Sequence, residues 1–190
     1  MPSNGTISDL LDAMKAAAAV LRAHRIEFAL AGGQAIYAHG GPESGHDVDF
    51  VLREPDAEHA LHLLGEAGFR CERPPEHWLY TVYDSKDAMI DLIFAPNNRP
   101  ESVDDQLSRA DELEVYAIVL KVMSVTDVLA TKLLALKEHE VDYESVLEVT
   151  RALRERVDWP LLRELTAGSP YAQAYFTLCE ELGLVPPGGT

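Results

Sequence analysis

The stretch Ala31-Gly-Gly-Gln-Ala-Ile-Tyr-Ala-His-Gly-Gly-Pro-Glu-Ser-Gly-His-Asp-Val-Asp-Phe50 decides how this chain is read. Two glycines end the apolar run Glu27-Phe-Ala-Leu-Ala31, which reads as a strand stopping in a tight turn. After thirteen intervening residues come two aspartates separated by one valine. Asp47-Val-Asp-Phe-Val-Leu52 alternates with the period of two expected of a strand, so Asp47 and Asp49 share one face. Carboxylates at that spacing repel each other, and partial burial adds a desolvation cost to each. A divalent metal is the commonest way to offset that repulsion. Mg²⁺ in particular takes oxygen ligands, using one or two protein carboxylates together with substrate phosphates and water.

Met89-Ile-Asp-Leu-Ile-Phe94 reads as another strand, with Asp91 as its single charge. A third carboxylate is enough for two metals sharing one site, usually about 3.5–4 Å apart. The Gly-Gly turn supplies the complementary half: it exposes backbone N–H groups, lets an anion approach closely, and leads into a helix start that favours negative charge. An anion site beside a metal site is the chemistry of phosphoryl or nucleotidyl transfer. Each piece alone has a plainer reading. Asp-Val-Asp also describes a solvated strand edge, Gly-Gly an ordinary turn, and Asp91 a partner for a buried arginine; it is their order and spacing that point to a site.

Outward from this stretch, Leu10, Leu11, Met14, Ala17, Ala18 and Leu21 recur at helical spacing over 7–24, with Ser8 as a candidate cap. A short helix is expected over 34–38, and Pro55-Asp56 opens another over 57–67 that Gly68 closes. Strands are expected near 69–72, 78–83 and 89–94, then a polar loop carrying Pro96, Asn97, Asn98 and Pro100. Leu113 to Val122 reads as one extended run rich in β-branched residues. Ser124-Val-Thr-Asp127 fits a capping box, and helices are expected over 125–140, 143–156, 159–166 and 171–182. The order implies an α+β or mixed α/β domain with C-terminal helices: a core over 1–123, a helical region over 124–185 and a loose tail over 186–190, with residues 1–6 loose as well.

The chain has 190 residues, 47% apolar and 25% charged, values of an ordinary globular protein. A formal net charge of -16 argues against an extended nucleic-acid surface, although it leaves room for a local basic patch. No apolar run reaches the ~18 residues of a membrane span, and no signal peptide is visible, so no membrane partner and a cytoplasmic location are expected. Cys71 and Cys179 lie far apart and read as reduced thiols. His59 and His62 sit three apart without a third ligand, which reads as an ordinary helix surface.

Gly32-Gly33, Asp47-Val-Asp49 and then Ile90-Asp-Leu92 on a later strand resemble the signature of the nucleotidyltransferase superfamily related to DNA polymerase β. Downstream, 125–135 followed by 140–146 is similar to the C-terminal helices of minimal and abortive-infection nucleotidyltransferases of the AbiEii and MenT types. The resemblance implies a mixed sheet flanked by helices with a C-terminal helical bundle. It implies that Gly32 and Gly33 cradle phosphates and that Asp47, Asp49 and Asp91 are the catalytic carboxylates binding two Mg²⁺ ions. Asp91 would also help deprotonate the acceptor hydroxyl. Lys132 would contact the triphosphate, with Lys137 as a second cation, and Asp142 would hold the acidic position before the next helix. Many relatives place an arginine and a hydroxyl residue just before the aspartate pair, whereas this chain has Glu43, Ser44, Gly45 and His46. Ser44 could still donate a hydrogen bond to the nucleotide and His46 could approach a phosphate. Gln34 replaces the hydroxyl residue that follows the glycines in relatives.

The implied activity moves an NMP from an NTP such as ATP to a hydroxyl, releasing pyrophosphate. Candidate acceptors are the 3′ end of tRNA, a protein hydroxyl, and an aminoglycoside or lincosamide antibiotic. The helical tail, a more specific signal than net charge, favours tRNA or protein as acceptor and a toxin of a toxin–antitoxin pair, with a cognate antitoxin as partner; an antibiotic-modifying enzyme, which the acidic charge suits, is the alternative. The alternatives are a non-catalytic binding module or antitoxin on the same fold, and an interaction protein using Trp159, Tyr171, Tyr175 and Phe176, aromatics whose helical spacing equally describes a core.

Overall fold

The computed structural model describes residues 7–43, 47–99 and 101–185. The expected loose ends, and Ser44 and His46 as phosphate-facing residues, lie outside the described residues. The chain is α+β: a mixed seven-stranded sheet flanked by helices, followed by a run of C-terminal helices. The strands are β1 (Phe28–Ala31), β2 (Val48–Leu52), β3 (Arg70–Glu72), β4 (Leu79–Tyr83), β5 (Met89–Ile93), β6 (Asp111–Val115) and β7 (Ile118–Val122), in the spatial order β3-β4-β5-β2-β1-β7-β6. β1 runs antiparallel to β2 and parallel to β7, and β2 runs parallel to β5. All four residues of β1 are buried, as a strand flanked on both sides requires. β2 is buried except at Asp49, so its one charge stands out against Val48, Phe50, Val51 and Leu52.

The helices are α1 (Ile7–Ala23), α2 (Gly32–Ala38), α3 (Glu54–Glu66), α4 (Ser102–Arg109), α5 (Val125–Ala135), α6 (Tyr143–Leu153), α7 (Trp159–Leu165) and α8 (Pro170–Glu181). α1 packs on α3 and β5, and α3 on β3 and β4. α5 is the hub of the remainder, touching α2, α6, α7 and α8. Val125 through Ala130 are all buried, the pattern of a helix enclosed on every side. Trp159, Tyr175 and Phe176 are core residues of these helices, which overturns the reading of them as a partner face. Cys71 and Cys179 are both free, and Cys179 is buried.

Several boundaries differ from expectation for local reasons. Ser8 lies within α1 rather than capping it, and α3 opens at Glu54, with Pro55 in its first turn, where the missing N–H of proline does no harm. The expected single run 113–122 is a hairpin. Tyr116 and Ala117 both take positive φ, 50° and 67°, giving a two-residue turn between β6 and β7 without the glycine or asparagine that usually marks one. Tyr116 is held there because its ring stacks on Tyr37 and its hydroxyl donates to Gln34 Oε1 over 3.3 Å. α5 stops at Ala135, five residues short of the expected Glu140, and 137–140 fold back through a Lys137–Glu140 bridge. Lys137 is therefore on a turn and not on the helix.

The loop expected after β5 contains α4. Its apolar face is only Val103 and Leu107, too short a signal against two acidic residues in its first turn. An ion pair fixes its position: the Arg109 guanidinium donates Nε to Asp127 Oδ2 at 3.0 Å and a terminal nitrogen to Oδ1 at 2.7 Å. Asp127 is 1% exposed and also accepts from the Ser124 hydroxyl at 2.6 Å, while its backbone N–H is capped by Ser124 Oγ, as the capping box requires. Removing the guanidinium would strand a buried carboxylate. Arg109→Leu is expected to lower unfolding free energy in urea by about 3 kcal/mol, the low end for breaking a buried pair because Arg109 is partly exposed.

Candidate active site

β1 ends directly in α2 with no connecting turn, so Gly32 and Gly33 are the first residues of the helix. Ala31 caps α2 with no side-chain hydrogen bond, which leaves the opening N–H groups without intrahelical partners. Gly32 has φ +57°, and a Cβ placed on it would stand 1.8 Å from Asp49 Oδ2. Glycine is therefore required twice over, by the left-handed backbone and by the carboxylate that occupies the space a side chain would fill.

Strand register brings the acids together. Ala31 pairs with Asp49, and Asp49 pairs with Asp91 across parallel β2 and β5, so the two aspartates sit on adjacent strands about 4.8 Å apart in backbone terms. Asp47 stands exposed just before β2. Burial, with the negative charges of Asp91 and Asp47, pushes the Asp49 carboxyl up to about 7, and Lys132 pulls it partly back. Asp91 is also raised, by burial first and then by Asp47 and Glu76, against the hydrogen bond it accepts on Oδ1 from buried Thr81 at 2.7 Å. Thr81 faces Asp91 directly from β4. Among the described residues no three His, Cys, Asp or Glu side chains converge on one point as they stand. The donor chemistry nevertheless suits Mg²⁺: it is all oxygen, it carries repulsion that a cation relieves, and Gly32 has no side chain to occupy the space of Asp49 Oδ2.

A cavity of about 490 Å³ opens over this end of the sheet, within the size range of small-molecule sites. Of the residues expected in the site, it is lined by Gly32, Gly33, Asp47, Asp49, Lys132 and Lys137. Asp91 lies outside the lining, one strand further out and turned to Thr81. Lys132, half-buried on α5, is the cation whose charge reaches Asp49. Asp142 is not at the cavity: it caps α6, accepting from the Ser145 N–H at 3.2 Å, and Ser145 holds its carboxyl below the usual range. Gln34 is buried inside α2 and accepts from Tyr116, so it is a packing residue there.

The cavity has an apolar half that sequence reasoning missed. Val51, Trp78, Ile93, Pro96, Met123 and Val128 line it, together with the amides Asn97, Asn98 and Gln106. Asn97 and Asn98 both hold positive φ, and Asn97 Nδ2 donates to the Thr131 carbonyl at 3.1 Å, tying this turn to α5. The clue in sequence was the Asn-Asn pair, since asparagine tolerates the left-handed region. Nothing comparable marked Trp78 or Gln106. Buried His39, at the C-cap of α2, joins the same framework, its Nε2 lying 2.9 Å from the carbonyl of Met123.

Two outcomes follow from the contact between Gly32 and Asp49. Gly32→Ala forces a left-handed alanine and displaces the Asp49 carboxyl, and is expected to cost roughly 2 kcal/mol or more in urea unfolding. The second concerns pH. The folded protein retains a proton on Asp49 up to about 7 that the unfolded chain loses near 3.8, so this contribution to stability is present at low pH and lost as pH rises between those values. In magnesium-free buffer the Tm of the wild type is therefore expected to fall relative to Asp49→Asn between pH 5 and pH 8; parallel curves would contradict it.

Solved structures share this architecture. The solution structure of the antibiotic-resistance factor ANT(2″)-Ia matches with a TM-score of 0.59 at 12% identity, covering 90% of this chain and 95% of that one. An antigenic nucleotidyltransferase-like protein from Paracoccidioides brasiliensis matches with a TM-score of 0.58 at 17% identity, covering 93% and 89%. The lincosamide antibiotic adenylyltransferase LnuA, bound to lincomycin, matches with a TM-score of 0.51 at 13% identity, covering 74% and 92%. No protein-family model and no curated protein matches the sequence. At these identities the likeness is one of fold, and the chain has the nucleotidyltransferase fold.

Proposed function

We propose that this protein is a metal-dependent nucleotidyltransferase that moves an NMP from an NTP to a hydroxyl acceptor and releases pyrophosphate. The observation that carries the reading is the register placing Asp49 opposite Asp91 and beside Gly32, with Asp47 and Lys132 on the same cavity. Asp47, Asp49 and Asp91 would hold Mg²⁺, which when bound supplies charge neutralisation for the phosphates and acidifies the attacking hydroxyl. The residues of the chain do the rest. The N–H groups opening α2 and the ammonium of Lys132 bind and orient phosphate oxygens, with Lys137 at the cavity rim as a second cation. Thr81 fixes one oxygen of Asp91, leaving the other for metal or for the proton of the acceptor hydroxyl. The raised Asp91 carboxyl suits it to receive that proton.

Among acceptors, a small cationic hydroxyl compound is the reading that the net charge of -16 favours, since a field of that sign attracts such a molecule and repels RNA. The alignment of nearly the whole chain with nearly the whole of ANT(2″)-Ia, a structure also solved with adenylyl-2″-tobramycin, supports the same choice. A tRNA or protein acceptor and a toxin role with an antitoxin partner rest on the helical-tail resemblance, in which Asp142 has a capping task of its own.

The test is incubation with Mg²⁺, each labelled NTP, and acceptors comprising aminoglycosides, lincosamides, total tRNA and cell extract. Wild type is expected to transfer label, and Asp47→Ala to lose about 10²-fold or more. Undiminished labelling by Asp47→Ala, or none by wild type with any pair, would reject the enzyme reading.

A further inference from the structure

Gln106 on α4 is 6% exposed, lines the cavity, and carries a buried Oε1 with no hydrogen-bond partner among the described residues. The orientation of its amide follows from its neighbour. The Ser102 hydroxyl donates its hydrogen to the Arg99 carbonyl at 2.8 Å, so toward Gln106 it offers only lone pairs. Nε2 therefore faces Ser102, at 3.4 Å, and the unpaired group is the acceptor. A buried acceptor without a partner is costly to keep, and α4 holds this one in place through the Arg109–Asp127 pair one turn further along. The terminal torsion of glutamine is broad, so Oε1 can turn to the cavity while α4 stays fixed.

The cavity that Gln106 lines has an apolar wall that includes Val51, Ile93, Pro96, Met123 and Val128. Such a wall suits a flat, weakly hydrated heteroaromatic ring, whereas a polyhydroxyl or cationic acceptor would leave its polar groups unpaired there. Phosphates belong with Gly32, Gly33 and Lys132. Resting on the nucleotidyl-transfer reading above, we propose that Gln106 is a specificity-determining residue for the nucleobase. Its Oε1 accepts an N–H from the exocyclic amine of adenine or cytosine, and it disfavours guanine and uracil, which carry a carbonyl oxygen at the corresponding position.

Calorimetric titration of the full chain with Mg²⁺ and each triphosphate tests this. ATP and CTP are expected to bind more tightly than GTP and UTP. Purine riboside 5′-triphosphate, which is ATP without its amine, is expected to bind wild type about five- to tenfold more weakly than ATP. Gln106→Met should bring that ratio close to one with an unchanged or higher Tm, because the unpaired acceptor is gone, while Gln106→Glu, which keeps an acceptor oxygen, should preserve it. Equal binding of ATP and purine riboside 5′-triphosphate by wild type overturns the inference but leaves nucleotide binding standing. So does tighter binding of GTP or UTP, or a ratio that survives in Gln106→Met. Absence of binding by all four triphosphates overturns both the inference and the reading it rests on.

Discussion

The arrangement turns on one steric and electrostatic contact: Asp49 Oδ2 occupies the volume in which any side chain at position 32 would stand. That contact requires β1 to end at Ala31, opposite Asp49, so that the first glycine of α2 meets the carboxylate. It also places the opening amides of α2 beside a group whose ionisation is opposed by burial and by two neighbouring aspartates. A folded chain keeps such a cluster at a cost in free energy, and a cation is the partner that lowers it. The all-apolar β1, the paired aspartates and the glycines are thus parts of one constraint.

Around that contact the molecule is built in two halves. The sheet and α2 present oxygen donors and backbone amides, and α5 closes the cavity with Lys132. α5 can do so because it is enclosed by α2, α6, α7 and α8, which leaves one face to meet the site. The apolar half of the cavity depends on a different set of forces: the Arg109–Asp127 pair seats α4, and the Asn97 amide ties the turn after β5 to Thr131. The first half stands on the sheet and α2, the part of the chain whose register sets Asp49 beside Gly32.

Much of the site could be read from the chain itself. The period-two alternation of 47–52 put Asp47 and Asp49 on one face, and the lone charge in 89–94 singled out Asp91, because a carboxylate in an apolar strand needs a reason. The helix over 7–23 and the capping box at Ser124 were legible because local periodicity and local hydrogen bonding are written within a few residues. The misreadings have specific physical causes. The β6–β7 turn carries no glycine, being held by the stacking of Tyr116 on Tyr37 from a distant helix. α4 offers two apolar residues against its charges, and α5 loses its last turn to a bridge between Lys137 and Glu140. Asp142, expected at the site from the family resemblance, caps α6 in the structure and does not line the cavity.

The sequence by itself determined the order of glycines and aspartates, the strand faces they occupy and the repulsion they carry, since these follow from side-chain chemistry and a period of two. Only the tertiary structure decided that Asp49 faces Asp91, that Lys132 and not Asp142 lines the cavity with Asp49, and that Gln106 backs it with an unpaired acceptor. Register between strands some forty residues apart, and the seating of α4 by an ion pair spanning eighteen, depend on contacts between segments that no local pattern records.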